Sequence, residues 1–152
     1  MKLLIVIIIV SIFLNCNTKE INTSKSLDLN QFNPDTNKIA IFSSKKANTK
    51  GTNFQLSEND FKMIDTLIEN SIREYNTKYG TEINLEQYYR QYEPIINEFK
   101  EKEIWIYCFC YASNIDWKKE MLFVSDGGEC YFRLEINLTK KKVINFSVNG
   151  SA

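Results

Sequence analysis

The chain of 152 residues carries 19 basic and 19 acidic side chains, so its formal net charge at neutral pH is zero. A balanced charge provides no broad basic field to attract nucleic acid, and we expect no nucleic-acid partner. The sequence contains no histidine, which excludes the most common general base, zinc ligand and activator of a nucleophilic serine or cysteine. The hydrophobic content of 43% and the length suit one globular domain with a modest core.

The first element along the chain is an apolar run, LLIVIIIVSIFL, which follows Lys2 and ends at Leu14. As a helix this run would rise about 18 Å, well short of the roughly 30 Å hydrocarbon core of a bilayer. Its length and its basic flank are instead typical of a secretory signal peptide, which we predict at residues 1–15.

The stretch FLNC, which ends at Cys16, resembles the lipobox of a bacterial lipoprotein signal. The resemblance implies cleavage between Asn15 and Cys16, with diacylglycerol on the Cys16 sulfur and an acyl chain such as palmitate on its new amino group. Asn15 departs from the usual Gly, Ala or Ser. The alternatives are a plain signal peptide and a buried strand with a chance cysteine. Lipidation implies a protein anchored to a membrane of the bacterial cell envelope, on a periplasmic or a surface face.

The residues that follow predict a linker and then a folded part. Residues 16–37 are rich in Asn, Thr, Ser, Lys and Asp, and so few apolar side chains cannot offset the entropy of ordering. We therefore predict a flexible tether at 16–37 and a single domain at 38–152. The domain begins with KIAIFSS, from Lys38 to Ser44, a short apolar run that predicts an edge strand.

The clearest pattern in the domain is that of a helix from Ser57 to Tyr79. Ser57 followed by Asp60 is a capping-box pattern, and Gly80 suits the left-handed position that ends a helix. Apolar residues recur at spacings of three and four, which predicts an amphipathic helix with one face on the core. These residues are Phe61, Ile64, Ile68, Ile72, Tyr75 and Tyr79.

The rest of the domain has the alternation of β-strands. The segment YYRQY, before Pro94, is either a short helix or an irregular strand. Four strands are then predicted, with a glycine turn, DGG, before the third and a lysine-rich turn, TKKK, before the fourth. The four strands are EIWIYCFCYA, KKEMLFVS, ECYFRLEINL and VINFSVNG.

This order of elements predicts an α+β fold, in which the helix at about 57–79 packs on a four-stranded antiparallel sheet at about 103–148. The order resembles that of the cystatin-like group, which implies the fold alone. The part from Leu85 onward also resembles small bacterial lipoproteins that end in DGG-x-C-x-F and NG-x-A, to which no activity is assigned. The matching residues are Asp126, Gly127, Gly128, Cys130, Phe132, Asn149, Gly150 and Ala152.

A lipidated Cys16 leaves Cys108, Cys110 and Cys130 in the domain. In a simple meander the first and third strands lie about 10 Å apart, too far for a disulfide. We therefore expect buried free thiols, although a different strand order would permit one disulfide. Without histidine or a CxxC motif we predict no catalytic thiol, metal site or cofactor.

The best candidates for ligand binding form an aromatic row on one side of the first strand, together with Arg133. Trp105, Tyr107, Phe109 and Tyr111 share one face by alternation, but Ile104, Ile106 and Cys108 make the opposite face apolar too. The row is therefore either core or the wall of a pocket or contact patch.

These features favour a lipid-anchored, non-enzymatic module that binds a protein partner or a small apolar ligand. The absence of histidine and of a clustered carboxylate pair disfavours catalysis. Two alternatives remain, a small enzyme with a carboxylate base in a cone-shaped pocket, and an inhibitor or immunity-type partner of another protein.

Overall fold

The computed structural model describes residue 35 and residues 37–43, 52–111 and 115–150. The predicted signal peptide, Cys16 and nearly all of the predicted tether lie outside these residues, as does Ala152. Among the described residues, no helix combines the length and apolar character needed to cross a membrane.

The predicted helix is confirmed as α1, Glu58–Tyr79. The capping box is formed, because the Asp60 backbone N–H donates to Ser57 Oγ at 3.2 Å and the Ser57 N–H donates to Asp60 Oδ2 at 2.9 Å. The helix ends at Gly80, whose φ of 69° is in the left-handed region. A side-chain cap at Ser57 and the backbone conformation of Gly80 therefore set the two ends of α1.

Within the described residues, the sheet has five strands in the order β1-β2-β3-β4-β5. The first strand is parallel to the second, and the other neighbours are antiparallel. The fold is thus α+β as predicted, but the four-stranded antiparallel sheet is wrong, since the sheet has an additional strand and is mixed. The strands are β1 Ile39–Ile41, β2 Tyr89–Ile96, β3 Lys102–Phe109, β4 Tyr131–Asn137 and β5 Lys142–Val148.

The segment YYRQY, for which the sequence allowed a helix or a strand, belongs to strand β2 from Tyr89 onward. This strand also contains Pro94. The backbone N–H of Arg90 donates to Lys38 O, and that of Ile96 donates to Thr52 O, each at 2.8 Å. The backbone N–H groups of alternate residues in a strand point to the same edge. The nitrogen of Pro94 therefore lies on the edge of β2 away from β3, between these two hydrogen bonds. Proline is tolerated there because its missing N–H breaks no bond with β3.

The predicted strand KKEMLFVS is wrong. Residues 118–125 form no strand, and β3 pairs directly with β4, so that Cys108 lies opposite Phe132 and Phe109 opposite Tyr131. The pattern of residues 118–125 suited a strand, but their backbone is bound by side chains from elsewhere in the domain, as described below.

Direct pairing of β3 with β4 also decides the state of the cysteines. Cys110 and Cys130 lie just beyond the paired ends of these strands, with their Cα atoms 5.0 Å apart, and form a disulfide. The expectation of free thiols is therefore wrong for both residues, because no strand separates them. Cys108 is a buried free thiol, as predicted.

The main core lies between α1 and one face of the sheet. Ile64 and Ile68 of α1 and Ile104 and Ile106 of β3 are all fully buried there. Side chains of a strand alternate between faces, so the neighbouring residues of β3 point to the opposite side. We call that opposite side of the sheet the second face.

Candidate functional site

The aromatic row of β3 lies on the second face. The sequence alone did not decide whether this row belongs to the core or to a pocket. Tyr107 lies between Gln91 of β2 and Arg133 of β4, and the register repeats this arrangement in the rows on either side. Toward one end the row is Tyr89, Phe109 and Tyr131, and toward the other it is Glu93, Trp105 and Glu135. The core against α1 therefore uses the other side of β3, and the aromatic row lies outside it.

Part of the second face is covered by the described end of the β3–β4 connection, residues 115–125, which we call the covering segment. The ring of Trp117 lies 5.0 Å from the ring of Tyr89 and 5.8 Å from that of Phe109, measured between centroids. This cluster fills the end of the face near the disulfide. It explains why Phe109 is fully buried although it does not face α1.

One buried side chain, Gln91, attaches the covering segment to β2. Its Nε2 donates to Trp117 O at 2.6 Å and to Glu120 O at 2.7 Å, and its Oε1 accepts from the Leu122 N–H at 2.8 Å. These bonds satisfy backbone groups that would otherwise pair in a ladder. The segment therefore crosses the face as irregular chain.

The other end of the covering segment is held by Asn149, just after β5. Its Nδ2 donates to Val124 O at 2.7 Å and to Asp126 O at 3.0 Å. A cavity of about 300 Å³ lies between the covering segment and strands β3 and β4. Its lining includes Tyr107, Phe109, Phe123, Tyr131, Arg133 and Asn149.

The structure brings together some of the residues predicted to bind a ligand. Tyr107, Phe109 and Arg133 line the same cavity. Trp105 lies on the same face, one row away between Glu93 and Glu135, and is not among the residues that line the cavity. Tyr111 lies beyond the end of β3 with 63% of its surface exposed and is also separate from the cavity.

The cavity combines an aromatic wall with one positive charge. The rings of Tyr107 and Phe123 meet edge to face, with centroids 5.4 Å apart. Arg133 is the only charged side chain among the described residues of the lining. Burial raises the pKa of Tyr107, and the charge of Glu93 raises it further while Arg133 opposes the rise. The Tyr107 hydroxyl is therefore protonated at neutral pH and can donate a hydrogen bond.

Sequence reasoning missed Phe123, Gln91 and Asn149. Phe123 was assigned to a strand, which placed it in a ladder instead of over the sheet. Gln91 and Asn149 bind backbone groups 23 or more residues away, a relationship that no local pattern contains. Gln91 could have been noticed in the sequence as an amide among the tyrosines of YYRQY, because an amide that becomes buried there must find hydrogen-bond partners.

Among the described residues, no cluster of Cys, Asp and Glu is arranged to hold a metal ion. Comparison with protein-family models, curated proteins and solved structures gives no match for this chain.

Proposed function

We propose that this chain is a lipid-anchored, non-enzymatic binding module of the bacterial cell envelope, with lipid on Cys16 and a small apolar ligand in the cavity of the second face. The lipid anchor is supported by the FLNC stretch after the apolar run. The compartment is supported by the Cys110–Cys130 disulfide, because disulfides persist mainly in oxidising environments outside the cytoplasm.

The observation that carries the ligand proposal is the aromatic cavity beneath the covering segment. Its volume of about 300 Å³ is at the lower end of ligand pockets. Ligand pockets combine apolar walls with placed polar groups, and here the rings of Tyr107, Phe109, Phe123 and Tyr131 contribute apolar walls beside the polar groups of Arg133 and Asn149. A small aromatic or aliphatic molecule fits this composition.

The same cavity gives less support to an enzyme. A general base must lie within hydrogen-bond reach of the proton that it removes. The described residues that line the cavity include no carboxylate, and the buried Glu93 belongs to the neighbouring row of the second face. Binding without chemistry is therefore the function that we propose.

A protein partner is the second candidate, and the outer edge of the sheet favours it. Within the described residues β5 pairs with β4 alone, so its other edge offers unpaired backbone groups. A groove between β5 and α1 runs along this edge, lined by Tyr75, Tyr79, Phe146 and Val148 among others. An extended strand of a partner protein with apolar side chains facing the groove would suit this edge.

The lipid anchor can be tested by metabolic labelling with a palmitate analogue. We expect the wild-type protein to be labelled and the Cys16→Ala variant to remain unlabelled, because the thiol carries the diacylglycerol. Equal labelling of the two proteins would overturn this part of the proposal.

Ligand binding can be tested by equilibrium dialysis of the full chain in nonionic detergent with naphthalene-2-carboxamide, a small neutral apolar probe. Phe123→Ala removes a wall of the cavity and should weaken binding. Phe99→Ala is the matched control, because Phe99 is 72% exposed, against 71% for Phe123, but lies outside the cavity. Equal binding by both variants and the wild type would place the probe elsewhere and contradict the proposed site.

The partner hypothesis predicts a difference between variants in purification from the native envelope. A protein bound at the β5 edge should be retained by the wild type and by Phe99→Ala and lost from Tyr79→Ala, since Tyr79 is an exposed wall of the groove. Retention of the same protein by Tyr79→Ala would exclude this groove as its site.

A further inference from the structure

We infer that the ligand of the second-face cavity carries an anionic group, such as a carboxylate, that pairs with Arg133. This inference rests on the proposed binding function and specifies the class of ligand. It follows from the position of Arg133, from its ion-pairing state and from the groups that surround it.

Arg133 occupies the middle of β4 on the second face. It lies opposite Tyr107 of β3 on one side and Ser147 of β5 on the other. Its side chain is exposed and forms part of the cavity lining. Arg133 therefore forms part of the cavity wall and remains accessible to a molecule that enters from solvent.

The ion pairs formed by the described residues do not include Arg133. The other arginine of the sheet, Arg90, is paired on the helix side, where its Nη1 lies 2.9 Å from Asp65 Oδ1. The ion pairs of the described residues are Lys62–Glu58, Arg90–Asp65, Lys102–Asp60, Lys119–Asp116 and Lys140–Glu101. Arg133 thus differs from Arg90 in having no carboxylate within ion-pair distance among these residues.

The second face also carries the carboxylates of Glu135 and Glu93. Both lie in the row of Trp105, next to the row that contains Arg133. Neither is among the residues that line the cavity. Among the described residues of the lining, Arg133 therefore supplies the charge that is available to a ligand.

The neighbouring polar groups suit an anion with an apolar body. The protonated hydroxyl of Tyr107 is a hydrogen-bond donor on the neighbouring strand. The planar guanidinium group binds a carboxylate through two parallel hydrogen bonds, which adds orientation as well as energy. An aromatic body would then lie against Phe109 and Phe123 while its carboxylate meets Arg133 at the mouth of the cavity.

The test compares two probes of the same size that differ in charge, naphthalene-2-carboxylate and naphthalene-2-carboxamide, by equilibrium dialysis with the full chain in nonionic detergent. We expect the wild type to bind the carboxylate about tenfold more tightly, which corresponds to one charge-assisted hydrogen-bonded contact. Arg133→Gln should abolish this preference and leave carboxamide binding within about twofold of the wild type. Arg133→Lys retains the charge but lacks the planar guanidinium group. Its preference for the carboxylate should lie between that of the wild type and that of Arg133→Gln.

Arg73→Gln is the matched control, because it removes an exposed arginine from α1 where the side chain bonds only to Asn70 among the described residues. It should retain the preference for the carboxylate. Equal binding of both probes to the wild type, or a preference that survives in Arg133→Gln, would overturn the anion inference and leave the binding function intact. Failure of the wild type to bind either probe would count against the cavity as a ligand site and thus against both proposals.

Discussion

Gln91 accepts a hydrogen bond through its Oε1 from the backbone N–H of Leu122 at 2.8 Å, and this contact joins the centre of β2 to the segment that covers the candidate site. The same amide donates to Trp117 O and Glu120 O. A single buried side chain therefore holds three backbone groups of the covering segment, and Asn149 holds the other end.

Replacement of Gln91 should detach the covering segment. Gln91→Met keeps the length of the side chain but leaves two carbonyl groups and one N–H without this partner, and we expect a loss of about 2–4 kcal/mol in the free energy of unfolding. Urea denaturation measures the loss, and amide exchange within residues 115–125 should rise. Gln87→Met, at an exposed position, is the control. Equal stability of both variants would mean that Gln91 does not hold the segment.

The disulfide should stabilise the domain by closing the β3–β4 connection. Cys110 and Cys130 are separated by 20 residues, and a loop of this size predicts about 3 kcal/mol from the reduced entropy of the unfolded chain. The Cys110→Ala, Cys130→Ala double variant should lose this amount in urea denaturation. Alkylation and mass spectrometry should show Cys108 reacting once the protein is unfolded, and the other two only after reduction. A free Cys110 in the unreduced protein would contradict the pairing.

The pH dependence of stability should reveal Asp60, which caps α1 and pairs with Lys102 at 3.2 Å. Burial alone would raise the pKa of Asp60, but hydrogen bonds from Ser57 and Lys102 outweigh it, so the pKa lies below its ordinary value of 3.8. The charged form is thus favoured by folding, and its contribution is present above pH 3.8 and disappears as the pH falls through the lowered pKa.

Asp60→Asn tests this contribution. We expect a loss of about 1–2 kcal/mol in the free energy of unfolding at neutral pH, and a much smaller difference from the wild type at an acidic pH below the lowered pKa of Asp60, where both side chains are uncharged. Urea denaturation at the two pH values measures both quantities. Glu58→Gln, in the same turn but exposed, should change stability by only a few tenths of a kcal/mol. A loss at Asp60 that is independent of pH would rule out the charge as its cause.

The placement of the core between α1 and the sheet predicts different effects for the truncation of a buried and an exposed isoleucine. Ile106→Ala should cost about 2–5 kcal/mol, because Ile106 is fully buried against α1 and truncation leaves a cavity. Ile144→Ala, at an exposed position of β5, should stay within about 0.5 kcal/mol of the wild type. Chemical denaturation compares the two, and similar effects would contradict the placement of the core.

Features determined by neighbouring residues could be predicted from the sequence. Ser57 and Asp60 form a cap within one turn, and Gly80 ends the helix through its own backbone conformation, so the bounds of α1 follow from local chemistry. The alternation in β4 likewise separates the buried Phe132, Leu134 and Ile136 from the second face. The lipid anchor at Cys16, outside the described residues, remains a prediction from the sequence.

The candidate site depended on contacts between distant parts of the chain. Both faces of β3 are apolar, so only the packing of α1 decided that Ile104 and Ile106 are core and that Tyr107 faces the cavity. Residues 118–125 contain a short apolar run that is typical of a strand, but Gln91 of β2 and Asn149, just after β5, bind their backbone instead. Because residues 118–125 do not form a strand between them, β3 pairs directly with β4, and this pairing permits both the disulfide and the cavity. A local pattern contains no information on such pairings, whereas the tertiary structure decides them through buried amides that must be satisfied.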